Sequence, residues 1–148
     1  MPPKCTRIDR VELCTTTTDV CVEGPITSSD QVYRVCKELM ICNRMQEEFW
    51  VLCISPRGDI VSYAPVTKGT TDETMVIPAD VMRIVLASGV RSMILIHNHP
   101  SGDPQPSAQD RHLTMRMMEA AKMVGFTVLD HIIVAESSYI SFRDEGMM

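Results

Sequence analysis

The sequence lacks any run of about 18 apolar residues, so no segment is long enough to cross a membrane as a helix. It also lacks an excess of basic residues, because 14 Lys and Arg stand against 19 Asp and Glu and give a net charge of −5. Nucleic-acid binding usually needs a basic face, so nucleic acid is not expected as a partner of this chain alone. The absence of internal repeats and low-complexity segments fits a single domain of 148 residues.

No apolar leader follows Met1, and none of the six cysteines forms a C-x-x-C pair. We therefore do not expect secretion, a disulfide framework or a four-cysteine zinc site. The sequence predicts a cytoplasmic protein whose cysteines are mostly small core residues.

Hydrophobic periodicity and turn residues predict alternating helices and strands. In chain order, the predicted elements are a possible strand at 11–17, a helix from Ser28 or Ser29 to about Asn43, strands at 47–55 and 60–66, a helix at 79–87, a strand at 92–97, a helix at 107–124, and strands at 127–135 and 139–142.

This order predicts the α/β class, as a single-domain mixed β-sheet flanked by helices. The strand at 47–55 is apolar on both faces, which is typical of a strand inside a covered sheet. In the helix at 107–124, a buried stripe is predicted at helical spacing, and its methionines are expected to pack in the core. The stripe residues are Leu113, Met117, Ala121 and Val124, and the methionines are Met115, Met117, Met118 and Met123.

The pattern H-x-H-P-x6-S-x-x-D is the most informative motif, and it runs from His97 to Asp110. Two histidines that end a strand two residues apart point to the same side, and a turn can return Asp110 to them. Three protein ligands with one open position are the usual composition of a catalytic zinc site. His97, His99 and Asp110 are therefore predicted to bind a metal that activates water, with Ser107 within reach of a substrate.

A simpler interpretation exists for each part of the motif when it is considered alone. Ser107 is a good N-cap, and Asp110 in the first helical turn complements the helix dipole. The predicted stripe, however, points both residues toward the sheet, on the face that Met93 and Leu95 share with His97. The joint spacing and direction favour the metal site, and the cap is compatible with it.

Hydrolysis also requires a carboxylate that takes a proton from water and passes it to the leaving group. Glu47 and Glu48 are the candidates, at the start of a mostly apolar strand. Periodicity alone leaves the choice between them open. Ser107 would help to stabilise the tetrahedral oxyanion.

With an upstream Glu, this motif resembles the signature of the JAMM (MPN/JAB) metalloproteases. The segments His97–Pro104, Pro106-Ser107 and Leu129–Val134 resemble the RadC branch, and Gly69-Thr70 and Ser141-Phe142 fit it too. The resemblance covers about residues 28–146. It implies a cytidine-deaminase-like α/β/α fold with Zn²⁺ held by His97, His99 and Asp110. It also implies that Ser107 assists the oxyanion and that Glu47 is the general acid/base, because the family pattern places Glu two residues before Phe49.

The expected organisation is an N-terminal extension at 1–27 and a RadC-like JAB/MPN domain at 28–148. The expected function is a zinc-dependent metallopeptidase or isopeptidase-like hydrolase that acts on the amide carbonyl of a peptide or protein. A homo-oligomer is compatible with the sequence, and a membrane partner is not expected. The alternative is a DNA-repair or mobile-element accessory protein with a structural or vestigial zinc site.

Overall fold

A computed structural model of the chain describes Thr16, Val20 and residues 22–68 and 76–148. Apart from Thr16, the possible strand at 11–17 lies outside the described residues, as does Gly69-Thr70. The elements are α1 (Ser29–Glu38), β1 (Glu48–Ile54), β2 (Ile60–Lys68), α2 (Pro78–Ala87), β3 (Ser92–Asn98), α3 (Ala108–Met123), β4 (Thr127–Val134) and β5 (Tyr139–Ser141).

The five strands form one mixed sheet in the order β2-β1-β3-β4-β5. Strand β3 pairs antiparallel with β1 and parallel with β4, and the β3–β4 connection runs through α3. All seven residues of β1 are buried, as its apolar composition predicts. The predicted α/β class with a mixed sheet flanked by helices is confirmed.

Helices cover both faces of the sheet and create two apolar cores. Helix α1 packs Val32 and Cys36 against the face that carries Trp50 and Leu52 of β1. Helices α2 and α3 pack against the opposite face, which carries Phe49, Val51 and Cys53 of β1 and Met93 and Leu95 of β3. Side chains of β1 and β3 therefore alternate between the two cores. The same alternation decides on which face of the sheet each polar residue at a strand end lies.

Helix α1 ends at Glu38 rather than near Asn43. Met40 adopts a left-handed backbone with φ of 59°, and the Ile41 amide donates to the Cys36 carbonyl at 2.9 Å. Such a residue just after the last turn ends a helix and satisfies its free carbonyls. The apolar spacing had extended the prediction because Leu39 and Met40 continue the helical spacing of Cys36, but Met40 is 56% exposed.

The predicted packing of α3 is correct in its middle and wrong at its exposed end. Met117 and Ala121 are fully buried, but Val124 is 58% exposed. Met115 and Met123 are exposed as well, at 60% and 87%. Helix α3 buries only one narrow stripe, so Met115 and Met123 lie off it and face solvent, whereas Met118 is partly buried against the core. Val124 follows the last residue of the helix.

Three cysteines among the described residues, Cys36, Cys42 and Cys53, are buried and free, as expected for small core residues. In the described part of the chain, no helix has both the length and the apolar content that a membrane span requires.

Candidate metal centre

His97 in strand β3 and His99 just after it lie at one end of the sheet. His97 is the last residue of β3 that pairs with β1, opposite Phe49, and its side chain lies on the α2/α3 face. The His99 amide donates to the Val134 carbonyl at 2.8 Å, which fixes His99 just beyond the parallel ladder. The two rings lie edge to face with centroids 4.9 Å apart. The predicted convergence of His97 and His99 on one side is therefore present in the fold.

The first turn of α3 brings Asp110 to the same place. Ser107 is the N-cap of α3, and it forms a reciprocal capping box with Asp110. The Asp110 amide donates to Ser107 Oγ at 3.1 Å, and the Ser107 amide and hydroxyl each donate to Asp110 Oδ2 at 2.7 Å. Asp110 Oδ1 lies 3.0 Å from His97 Nδ1, and Oδ2 lies 3.6 Å from His99 Nε2. The cap and the approach to the histidines thus use the same carboxylate.

The structure separates the two glutamates that the sequence could not separate. Glu47 Oε1 lies 3.4 Å from His97 Nε2 and 3.8 Å from His99 Nε2. Glu48 is the first residue of β1 and points to the opposite face, where its carboxylate accepts a hydrogen bond from Trp50 Nε1 at 3.0 Å. Only Glu47 therefore lies beside the histidines.

Among the described residues, Glu47, His97 and His99 have donor atoms within 4.8 Å of one another, close enough to hold one metal ion. Their exposures differ, since the Glu47 side chain is 45% exposed while those of His97 and His99 are 8% and 12% exposed. Asp110 contacts both histidines from the buried side, with a side chain that is 7% exposed. The group thus contains two imidazoles, a buried carboxylate and a carboxylate open to solvent.

The ring nitrogens of His97, which lie 3.0 Å from Asp110 Oδ1 and 3.4 Å from Glu47 Oε1, also fit a cation here. Both of its ring nitrogens are buried, and neither has a partner with hydrogen-bond geometry among the described residues. Buried polar atoms are nearly always paired, because leaving one unpaired costs about 1–3 kcal/mol. Imidazole nitrogens and carboxylate oxygens are common zinc ligands, so the donor set suits such an ion.

His99 is oriented by the loop that follows it. Its Nδ1 lies 2.8 Å from the Asp103 carbonyl. A carbonyl oxygen can only accept, so Nδ1 carries the hydrogen and Nε2 presents its lone pair to the cleft. Metal-binding histidines are usually oriented in this way by a carbonyl or carboxylate.

The electrostatics of the cleft favour positive charge between the carboxylates. Burial alone would lower the pKa of His97, but contacts with Asp110 and Glu47 outweigh it and raise the pKa to about 9. Burial would likewise raise the pKa of Asp110, but contacts with His97, His99 and Ser107 hold it well below its usual range. The contact with His97 lowers the pKa of Glu47 against the effect of partial burial. Both carboxylates are therefore ionised at neutral pH.

Two buried polar residues, Thr114 and His131, lie next to the backbone of Asp110. The Thr114 hydroxyl donates to the Asp110 carbonyl at 2.7 Å and lies 2.6 Å from His131 Nδ1. Since that hydroxyl has one hydrogen, His131 Nδ1 donates to Thr114. His131 therefore contacts the helix that carries Asp110.

Sequence reasoning overlooked Asn98, which lies between the two histidines and is fully buried. The signal was available in the strand alternation, because Asn98 continues the face of Ile94 and Ile96 and should have been apolar. Elsewhere, His112 is exposed and Trp50 is buried.

The family model for the RadC-like JAB domain matches residues 26–147. The chain belongs to the RadC-like JAB domain family. Similar proteins include UPF0758 proteins of Thermotoga maritima (37% identical over 121 residues; 82% of this chain and 54% of the relative), Methanosarcina barkeri (41% over 103 residues; 70% and 45%) and Listeria monocytogenes (35% over 137 residues; 93% and 59%).

The chain thus spans about half the length of these RadC-like relatives. The matched region of the RadC-like JAB domain contains the whole histidine, glutamate and aspartate group. The family to which the motif pointed is therefore confirmed.

Proposed function

We propose that this RadC-like JAB domain is a zinc-dependent hydrolase that cleaves an amide bond in a peptide or protein. The proposal rests on one observation above all: Glu47, His97 and His99 converge with donor atoms within 4.8 Å, and Asp110 lies against both histidines. A bound Zn²⁺ would polarise the substrate carbonyl and lower the pKa of water toward about 7.

His97, His99 and Asp110 are proposed as the metal ligands. Asp110 is buried, ionised and anchored by Ser107, so it is already fixed in position before a cation arrives. Little side-chain freedom remains to be lost on binding, which favours affinity. Family membership favours the same set, because the resemblance assigned these three positions as ligands.

Glu47 is proposed as the general acid/base. It reaches the histidines, yet almost half of its side chain is exposed, so it can exchange protons with water and with a substrate in the cleft. Its lowered pKa keeps it ionised and able to accept a proton at neutral pH.

Ser107 is proposed to assist at the oxyanion. In the folded chain its hydroxyl donates to Asp110, so its first task is to hold that carboxylate. The second task requires the hydroxyl to rotate away from Asp110 toward the substrate oxygen.

The zinc content of purified variants distinguishes the role proposed for Asp110 from the role proposed for Glu47. We expect Asp110→Asn and His97→Ala to lose zinc in elemental analysis of the purified protein, and Glu47→Gln to retain it. The reverse result for Glu47 and Asp110 would exchange their roles, and zinc retention in all three variants would contradict the site.

Hydrolysis is tested with a peptide library whose new termini are identified by mass spectrometry. We expect cleavage by the zinc-loaded protein, and a rate lower by about 100-fold or more in Glu47→Gln, because general-base catalysis contributes that much. A control variant, Glu48→Gln, has the same chemistry but faces Trp50 and should cleave at a similar rate to wild type. Equal cleavage by the Glu47→Gln variant would reject Glu47 as the proton carrier.

A further inference from the structure

Asn98 is a fully buried polar residue. Its side chain points to the face of the sheet opposite His97 and His99, and it forms hydrogen bonds with the backbone on both sides of Glu47. Its Oδ1 accepts from the Glu48 amide at 2.7 Å. Its Nδ2 donates to the Gln46 carbonyl at 2.9 Å and lies 3.4 Å from the Arg44 carbonyl. The two shorter bonds flank Glu47 in the chain.

These side-chain bonds connect the two strands beyond the point where backbone pairing between β1 and β3 ends. The register between β1 and β3 ends at the pair Phe49 and His97, so no residue of β3 pairs with Glu48 or Glu47 through its backbone. The side-chain amide of Asn98 offers an acceptor and a donor, as a neighbouring peptide would, and has a second donor hydrogen. The Asn98 side chain therefore forms the hydrogen bonds that a further backbone pair between β3 and β1 would form.

The side chain of Glu47 does little to fix its own position. It is 45% exposed, and its nearest contacts among the described residues are the two histidines at 3.4 and 3.8 Å. The position of its carboxylate must then depend on the backbone at 46–48. A buried amide with no partner would be costly, and here backbone groups of Arg44, Gln46 and Glu48 satisfy Asn98.

We propose that Asn98 is a positioning residue that holds the Glu47 carboxylate beside His97 and His99. Placed between two metal ligands, it links the position of the proton carrier to the strand that carries the histidines. The inference rests on the proposed function for its catalytic meaning, whereas the bonds themselves can be tested without any substrate.

The first test is amide hydrogen exchange in the metal-free chain, comparing wild type with Asn98→Leu. We expect the Glu48 amide to exchange about 10-fold faster or more relative to the Leu95 amide in the centre of β3, because its acceptor is lost while the sheet remains. An unchanged ratio of the two rates would overturn the proposal. If the leucine variant does not fold, Asn98→Ala removes the same bonds without steric conflict.

Tyr33→Phe is the matched control. The Tyr33 hydroxyl also contacts two backbone carbonyls, those of Ala135 and Glu136, on the same face of the sheet. Its loss should lower stability and leave the ratio of the Glu48 and Leu95 exchange rates unchanged. A similar change of the ratio in this variant would mean that Asn98 acts only through general stability.

The second test uses the cleaved peptide identified with wild type. We expect Asn98→Leu to bind Zn²⁺ like wild type and to lower kcat by about 10–100-fold, the usual effect of losing an orienting partner. KM should stay within about twofold, and the change should add nothing to Glu47→Gln, because the two residues act as one unit. Loss of zinc, or additive effects, would overturn the proposal. Absence of cleavage by wild type would reject the proposed function alone.

Discussion

At the scale of single residues, Ser107 connects the stability of helix α3 to the candidate metal centre. It caps α3 and donates two hydrogen bonds to Asp110 Oδ2. We expect Ser107→Ala to lower the free energy of unfolding by about 1 kcal/mol, as for other N-caps, and to weaken zinc binding because Asp110 becomes free to rotate. Chemical denaturation and a zinc titration measure the two effects.

Ser28 is the natural control, since it caps α1 through the same kind of reciprocal bonds with Gln31. Ser28→Ala should cost a similar free energy of unfolding and leave zinc affinity unchanged. If Ser107→Ala also leaves the affinity unchanged, the capping box does not prepare Asp110 for a metal.

At the scale of elements, the residues of α3 differ strongly in how much each contributes to packing. Met117 is fully buried against β1 and β3, whereas Met123, two turns later, is 87% exposed. We expect Met117→Ala to lower the free energy of unfolding by about 2–5 kcal/mol through lost burial and a cavity. Met123→Ala should change it by no more than about 0.5 kcal/mol, and equal losses by urea denaturation would contradict this packing.

The elements themselves could be predicted because each has a strong local signal. The buried β1 is a continuous apolar run, and α3 is bounded by Ser107 and Gly125. The end of α1 could not be predicted, because Met40 carries no sign of its left-handed backbone. The apolar Leu39 and Met40 follow at the spacing of one more helical turn, although the helix has already ended.

The site was predictable to the extent that its spacing is local. His97 and His99 share a strand face, and Asp110 follows from the stripe of α3. Glu47 required the family pattern, because β1 is apolar on both faces. Strand alternation could have identified Asn98 as a polar residue on a buried face, but not its partners, which lie about fifty positions earlier in the chain.

At the scale of the whole molecule, His131 makes stability depend on acidity. Burial lowers its pKa to about 3 in the folded chain, from an ordinary value of 6.5. Between these values the unfolded chain binds the additional proton, so this residue's contribution is fully present above pH 6.5 and is lost as the pH falls toward 3. The slope is at most about 1.4 kcal/mol per pH unit for one proton.

His131→Asn removes this proton-linked contribution. In urea denaturation of the metal-free protein between about pH 4 and 7, we expect the variant to show a slope smaller by up to about one proton. The exposed His112 provides a control, since His112→Asn leaves the buried contact between Thr114 and His131 intact. An unchanged slope in the His131 variant would show that this histidine is not the source.

The connectivity of the sheet also has a consequence for the order of folding events. His97, His99 and Asp110 lie within one short segment, so a modest loop closure brings them together. Glu47 joins only when β1 docks alongside β3, after a much longer closure. With the roles proposed above, a newly made chain would bring the three proposed metal ligands together before Glu47 arrives as the proposed proton acceptor.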